Sequence, residues 1–353
     1  VLHQPESEKL LAFPGLSRIL IVSDAWTPQV NGVVRTLRTV ADEMRAMGKV
    51  VEVVGPDRFS TIPCPSYPEI RLALFPTRKL TKIIDDFGPD ALHIATEGPL
   101  GMAAQKYARK RKIAFTTAFH TRFAEYVAAR TKIPTAITYA WLRSFHGKGN
   151  GVMVATQSLR EELGARGFKN IRAWSRGVDL TVFQPEPKEN WNLAHPIFAY
   201  VGRVAVEKNL RAFLDLKLPG SKLVVGDGPQ RKKLEREYPD TCFAGARFGA
   251  ELSAAYAGAD VFVFPSRTDT FGLVVLEALA AGLPVAAYNV TGPKDILGES
   301  SVPVGALNDD LRQAALDALK IDRAACRPHA ETYSWTACAE RFLDNLVPTR
   351  SYA

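Results

Sequence analysis

Two cations and two carboxylates in the second half of the chain have the types and spacing best suited to chemistry. Arg203 and Lys208 lie in Val201-Gly202-Arg203-Val204-Ala205-Val206-Glu207-Lys208-Asn209-Leu210. A strand-like run precedes this segment and a helix-like run follows it, so both cations stand where a helix begins. A departing diphosphate accumulates negative charge, and an Arg/Lys clamp neutralises that charge. The plainer alternative, Glu207 paired with one cation on a solvated helix face, accounts less well for an Arg at a strand end followed by a Lys at a helix start. Asp269 and Glu277 lie in Phe264-Pro265-Ser266-Arg267-Thr268-Asp269-Thr270-Phe271-Gly272-Leu273-Val274-Val275-Leu276-Glu277-Ala278. Asp269 falls on an approach loop, and Gly272 lets the backbone pass close to a ligand. Thr270, Phe271, Gly272 and Leu273 present amides at a helix start, and Glu277 lies roughly one and a half turns in. One carboxylate can then meet a sugar and the other a ribose. The apolar neighbours Leu276, Ala278, Leu279 and Ala280 argue against Glu277 on a wet face.

Weaker signals lie at other strand ends. Val225-Gly226-Asp227-Gly228-Pro229 makes a tight turn with room for a ligand. In Ser23-Asp24-Ala25-Trp26-Thr27-Pro28-Gln29-Val30-Asn31-Gly32, residues Asn31 and Gly32 precede a helix whose first amides suit a phosphate. That loop is not GxGxxG, which disfavours a nicotinamide dehydrogenase. His120 follows the strand-like Thr117-Ala118-Phe119. His146 reads as a helix-terminal residue. No Asp-x-Asp pair follows a strand, so no obligatory metal is expected, and the Arg/Lys clamp takes the cation's place. The four cysteines show no CxxC spacing, which disfavours a zinc site or a disulfide scaffold.

These residues need elements to hold them. Buried-type strands at Ser17–Ser23, Val50–Gly55, Ile70–Phe75, Ala91–Ala95, Ile113–Phe119, Gly151–Thr156 and Ile171–Ser175 alternate with helix patterns. The Pro-rich stretch Asp179–Pro196 reads as a linker, and the alternation then restarts. The fold class is α/β, with two parallel-sheet, Rossmann-like domains. The expected division is 1–185, 186–335, and a C-terminal helix in 336–353 packing back toward the first domain. In such sheets ligands bind outside the carboxyl ends of the strands.

The pattern Gly-Arg-x-x-x-Glu-Lys-Asn, then Gly-Asp-Gly-Pro, then the acidic residue and Glu277 before Gly-Leu-Pro-Val resembles the retaining, family-four type of GT-B glycosyltransferases, from about Ile19 to Val285. The Asp-Thr-Phe-Gly form is similar to the glycosyl- and sulfoquinovosyl-diacylglycerol synthase subgroup. The resemblance implies two domains facing each other across a cleft, and transfer of a sugar from a nucleotide donor with retained configuration. It implies that Arg203 and Lys208 hold the diphosphate, with Gly202 and Gly228 beside it. Glu277 would hold the ribose and Asp269 the sugar hydroxyls. Asn31 and Gly32 would add amides from the first domain, and His120 would meet the sugar. The family's first carboxylate is commonly Glu; Asp269 keeps the charge with one methylene less reach. Asp269 and Thr291–Lys294 are expected to select the sugar.

Charge and apolar patterning bear on the acceptor. Of a formal net charge of +8, residues 1–185 carry 26 Lys+Arg against 16 Asp+Glu. Arg109–Lys112 and Arg78, Lys79 and Lys82 are basic clusters. Between residues 122 and 148, aromatic and apolar residues interleave with Arg122, Arg130, Lys132, Arg143 and Lys148. A basic amphipathic segment suits an anionic membrane surface. The expected activity is transfer of a hexose or hexuronic acid from a UDP-sugar to a lipid such as diacylglycerol. Mannosyl transfer from GDP-mannose and a soluble acceptor are the enzymatic alternatives. A non-catalytic sugar-nucleotide or nucleic-acid binding protein is the alternative of another class. No cofactor beyond the donor substrate and no nucleic acid partner are expected, since nucleic-acid motifs are absent. Val1–Pro14 does not read as a signal peptide, and the enzyme is expected on the cytoplasmic face of the membrane.

Overall fold

The computed structural model describes residues 16–29, 31–64, 67–131 and 133–349. The N-terminal segment read above for a leader lies outside them, as do Val30 and Lys132. The described residues up to Ser175, together with those from Trp335 onward, form one compact unit, and Arg176–Ser334 form a second.

The first unit holds β1 (Arg18–Val22), β2 (Val50–Val54), β3 (Thr61–Cys64), β4 (Tyr67–Ala73), β5 (Ala91–Ile94), β6 (Thr116–Phe119), β7 (Gly151–Val154) and β8 (Ile171–Ala173). Six of them form a parallel sheet in the order β2-β1-β5-β6-β7-β8. Ile19, Leu20, Ile21 and Val22 are all fully buried, as expected for a strand covered on both faces by helices. Helix Gly32–Ala46 buries Val34, Leu37, Val40, Ala41 and Met44, one stripe at helical spacing. The strand expected at Ile70–Phe75 is present as β4, but it pairs with β3 as a separate antiparallel hairpin. Helix Trp335–Asn345 belongs to this unit and lies against Gly32–Ala46, with Thr336 Oγ1 donating to Glu43 Oε2 at 3.0 Å.

The second unit holds β9 (Ile197–Val201), β10 (Ser221–Val225), β11 (Cys242–Gly245), β12 (Val261–Phe264), β13 (Val285–Ala287) and β14 (Gly305–Leu307). They form a parallel sheet in the order β11-β10-β9-β12-β13-β14. Residues 176–185, expected to close the first domain, belong here. Phe183 is buried, and the Arg327 guanidinium donates to the carbonyls of Phe183 at 2.8 Å and Leu180 at 3.2 Å. The boundary therefore stands at Ser175, because this proline-rich stretch is packed and hydrogen-bonded rather than a solvated linker.

Both sheets reverse their strand order once, between β1 and β5 and between β9 and β12. At such a switch point the crossover helices leave to opposite faces and open a crevice beyond the strand ends. In the first unit that crevice is braced by Asp24, which is buried. Its Oδ1 accepts from Leu100 N at 2.8 Å, and its Oδ2 accepts from Gly101 N at 3.2 Å and Thr96 Oγ1 at 2.9 Å. The carboxylate thus caps the first turn of helix Pro99–Arg111. Burial pushes this carboxyl up from its ordinary value, against the lowering effect of those hydrogen bonds. Asp24→Ala would strand buried donors at a helix start. It is expected to lower unfolding stability by about 1–3 kcal/mol, read as a fall in urea midpoint at unchanged m-value.

Candidate active site

The switch point of the second sheet gathers the residues singled out by spacing. β9 delivers Gly202 and Arg203, β10 delivers Gly226–Gly228, and β12 delivers the loop to Gly272. Gly202 N donates to Val225 O at 3.0 Å and Val204 N to Asp227 O at 2.9 Å, which ties the first two loops together. Gly228 needs its missing side chain: a Cβ there would lie 2.4 Å from Val204 O. The Tyr200 hydroxyl donates to Arg203 O at 2.8 Å and holds the turn that carries the guanidinium. Burial, and then the charges of Asp269 and Glu207, push that phenol well above its ordinary value, so it stays a donor.

Lys208 and Asp269 meet across the crevice. Lys208 Nζ lies 2.5 Å from Asp269 Oδ1, with side chains 23% and 16% exposed. Asp269 Oδ2 is buried and has no hydrogen-bond partner among the described residues. A buried carboxylate oxygen of this kind is costly unless a donor reaches it. Asn209 Nδ2 donates to Pro265 O at 3.1 Å and joins the same two loops. The cation and the carboxylate are therefore held together beyond the ends of β9 and β12.

Helix Leu273–Ala280 begins at Gly272, which adopts φ +89 and has no side chain to cap the helix. Its first-turn amides therefore face no capping oxygen from that residue, as an anion site requires. Phe271 is turned inward, with its ring 6.3 Å from that of Tyr333, so of this residue only the backbone can serve a ligand. Glu277 is buried, and its Oε2 accepts from the Tyr256 hydroxyl at 3.0 Å. Gly292 packs against Phe271 O, where a Cβ would come within 2.6 Å, and this brings Thr291–Lys294 onto the Asp269 loop. Arg267, on the Asp269 loop, stacks 3.5 Å over the ring of Tyr288, which follows β13. Sequence reading missed Tyr200, Tyr256 and Arg267. A tyrosine on an apolar strand or helix looks like core until its hydroxyl is located.

The first unit differs from expectation at Asn31. Its Oδ1 accepts from both Val33 N and Val34 N at 3.0 Å. Two of the amides expected to await a phosphate are thus satisfied by the cap itself, and Gly32 is the first residue of the helix. His120 is buried at the end of β6, edge-on to Trp174 at 5.6 Å between ring centroids. His146 is fully buried rather than merely helix-terminal, bonded to Thr117 and Glu97. Several cations of the basic segment are used internally. Arg122 forks onto Glu162 at 3.1 and 2.7 Å, and Arg143 donates to Arg166 O at 2.9 Å. The basic run at Arg109–Arg111 ends a helix, where cations complement the dipole. Among the described residues no group of three or more His, Cys, Asp and Glu is placed to hold a metal ion.

Comparison with known proteins agrees with this geometry. Residues 30–182 match the family described as Glycosyltransferase Family 4, and residues 195–320 match Glycosyl transferases group 1. The chain is 31% identical over 306 residues to a GDP-mannose-dependent alpha-mannosyltransferase of Mycobacterium tuberculosis (79% of this chain, 81% of that protein). It is 27% identical to an alpha-monoglucosyldiacylglycerol synthase of Streptococcus pneumoniae (86% of this chain, 78% of that protein). Its fold matches the sucrose-phosphate synthase of Thermosynechococcus elongatus with a TM-score of 0.68 at 20% identity, covering 92% of this chain and 97% of that one. Two parallel α/β domains, a Lys208–Asp269 pair beyond the switch point of the second sheet, and this similarity lead to one conclusion: the chain belongs to the family-four, GT-B class of nucleotide-sugar-dependent glycosyltransferases.

Proposed function

We propose that this enzyme transfers a mannosyl group from GDP-mannose to a hydroxyl of a lipid acceptor, with the anomeric configuration retained. The observation that carries the donor is the identity to a GDP-mannose-dependent alpha-mannosyltransferase along most of both chains. It weighs against the UDP-sugar expected from the sequence. A second reading, a UDP-hexose or UDP-hexuronate passed to diacylglycerol, keeps support from the similarity to the monoglucosyldiacylglycerol synthase and from the Asp269-Thr270-Phe271-Gly272 loop.

In either case the roles are the same. Arg203 and Lys208 neutralise the diphosphate as the sugar leaves, with first-turn amides at Leu273 adding to the clamp. Asp269 exchanges its bond to Lys208 for sugar hydroxyls, which also reach the buried Oδ2. Glu277, oriented by Tyr256, receives the ribose. His120 meets the sugar from its strand end. Diphosphate charge is met by side-chain cations, so turnover persists in chelator.

The acceptor reading rests on a surface of the first unit. Phe123, Ile133, Ile137 and Trp141 are 39%, 45%, 62% and 39% exposed, and the Phe123 and Trp141 rings lie 6.0 Å apart. Apolar residues of this kind among cations suit peripheral contact with an anionic, cytoplasm-facing bilayer leaflet. Among the described residues no helix is long and apolar enough to cross a membrane.

The donor is tested with GDP-mannose, UDP-glucose and UDP-glucuronate against dioleoylglycerol and phosphatidylinositol in anionic mixed micelles containing EDTA. Mannosylated lipid, identified by mass and by its anomeric coupling, is the expected product; glycolipid from the UDP donors alone would overturn the donor assignment. Lys208→Ala and Glu277→Ala are each expected to lower kcat/KM about a hundredfold or more while far-UV dichroism is retained. The double variant Ile137→Ser with Trp141→Ser should sediment less with phosphatidylglycerol vesicles than the parent chain does. Equal sedimentation would move the membrane contact elsewhere.

A further inference from the structure

The crevice at the β1/β5 switch point of the first unit contains a carboxylate with one oxygen left open. Asp24, on the β1 side, spends both oxygens on the start of helix Pro99–Arg111 and on Thr96. Glu97, on the β5 side, does not. Its Oε1 lies 3.1 Å from His146 Nε2, and its Oε2 makes no hydrogen bond among the described residues. His146 is 1% exposed, and its Nδ1 lies 2.9 Å from Thr117 Oγ1. Thr117 Oγ1 also lies 3.4 Å from Gly151 O, to which it donates, and Nε2–H of His146 can donate to the carboxylate. The three groups form a chain of polar contacts that runs from the middle of β6 out to the strand ends.

The backbone on either side of Glu97 is pinned. Asp24 N donates to Thr96 Oγ1 at 2.6 Å, and a Cβ on Gly98 would meet Asp24 Cγ at 2.5 Å. Thr96 and Gly98 are thus locked to Asp24, and Glu97 between them turns to His146. Its side chain remains 15% exposed. The register sets Ile94 beside Thr117, so Glu97 and His120 each leave the sheet three residues beyond that pair, at the same end. One oxygen of Glu97 meets the buried Nε2 of His146, and the other is left open. Fixing one oxygen and leaving the other open is how a site pre-orients a group for a ligand.

We infer that Glu97 is an acceptor-binding residue: its open oxygen accepts a hydrogen bond from a hydroxyl of a polyol-type acceptor, and His146 is the residue that positions it. The inference rests on the glycosyl-transfer reading and goes beyond it by assigning a hydroxyl-recognition point in the first unit. Asp24, for all its burial, is the structural acid of the pair.

The experiment uses the full chain with whichever donor turns over in the panel above. Dioleoylglycerol in mixed micelles and free glycerol serve as parallel acceptor probes, and acceptor KM, kcat and donor KM are measured separately. Glu97→Gln and Glu97→Ala are expected to raise acceptor KM about tenfold to a hundredfold, the loss of one hydrogen bond to a charged group. Donor KM should move less than about twofold on the same logic, because the donor residues lie on other loops. Glu97→Asp should recover part of the loss. His146→Gln, which keeps a donor toward Glu97, should raise acceptor KM less than Glu97→Ala does, and a urea midpoint accompanies each variant. A purely structural role would lower the midpoint and reduce kcat without singling out acceptor KM. That pattern, or acceptor KM unchanged in Glu97→Gln, overturns the inference. Failure of the parent chain to turn over any donor would overturn the glycosyl-transfer reading, and this inference with it.

Discussion

The ion pair between Lys208 and Asp269 is the interaction from which the donor site is best understood. It joins the loop after β9 to the loop after β12, the two central strands between which the sheet reverses direction. A cation and an acid in contact are each half-satisfied, and here one carboxylate oxygen is buried with no donor among the described residues. Such a pair is a poor stabiliser of the fold but a ready exchanger. Phosphate can take the ammonium while hydroxyls take the carboxylate, and neither charge is left alone. The neighbouring hydrogen bonds, Asn209 to Pro265 and Tyr200 to Arg203, fix the loops so that this exchange occurs at one place.

The two sheets solve the same topological problem with different chemistry. In the second, the switch point is lined by glycine turns, the Lys208 ammonium and a helix that starts on a glycine with no capping side chain. All of these favour an anion. In the first, the corresponding helix starts are already occupied: Asn31 caps one and Asp24 the other. What remains open there is an acid, Glu97, held by a buried imidazole. An anionic ligand is disfavoured beside that carboxylate, and a hydroxyl is favoured. The proposed division of labour, diphosphate at the second unit and a hydroxyl at the first, is consistent with which backbone amides each unit has already satisfied.

The basic character of the first half has a more mixed origin than net charge suggests. Arg122 and Arg143 are spent on internal contacts, and Arg109–Arg111 end a helix where cations are stabilising. The exposed Ile137 and Trp141 are more specific features, since large apolar side chains held in water need a partner that charge alone does not supply.

Much of this was legible in the sequence, for a physical reason. Fully buried parallel strands read as continuous apolar runs, and chemistry in such sheets is confined to strand ends. The placement of Arg203, Lys208, Asp269 and Gly272 beyond strand ends, and of Glu277 in the helix that follows, was therefore legible from position and type. β11 and β14 could not, because Cys-Phe-Ala-Gly and Gly-Ala-Leu are short edge strands without β-branched residues and depend on tertiary pairing. The domain boundary was misplaced because prolines signal irregular backbone, not whether that backbone is packed, and Arg327 decides that from 144 residues away. The Asn31 cap, the Tyr256–Glu277 bond and the Thr117–His146–Glu97 chain were likewise decided only by the tertiary structure. A polar side chain's role depends on which oxygen or nitrogen the fold brings within 3 Å or so of it, and sequence spacing fixes that distance only within a single element.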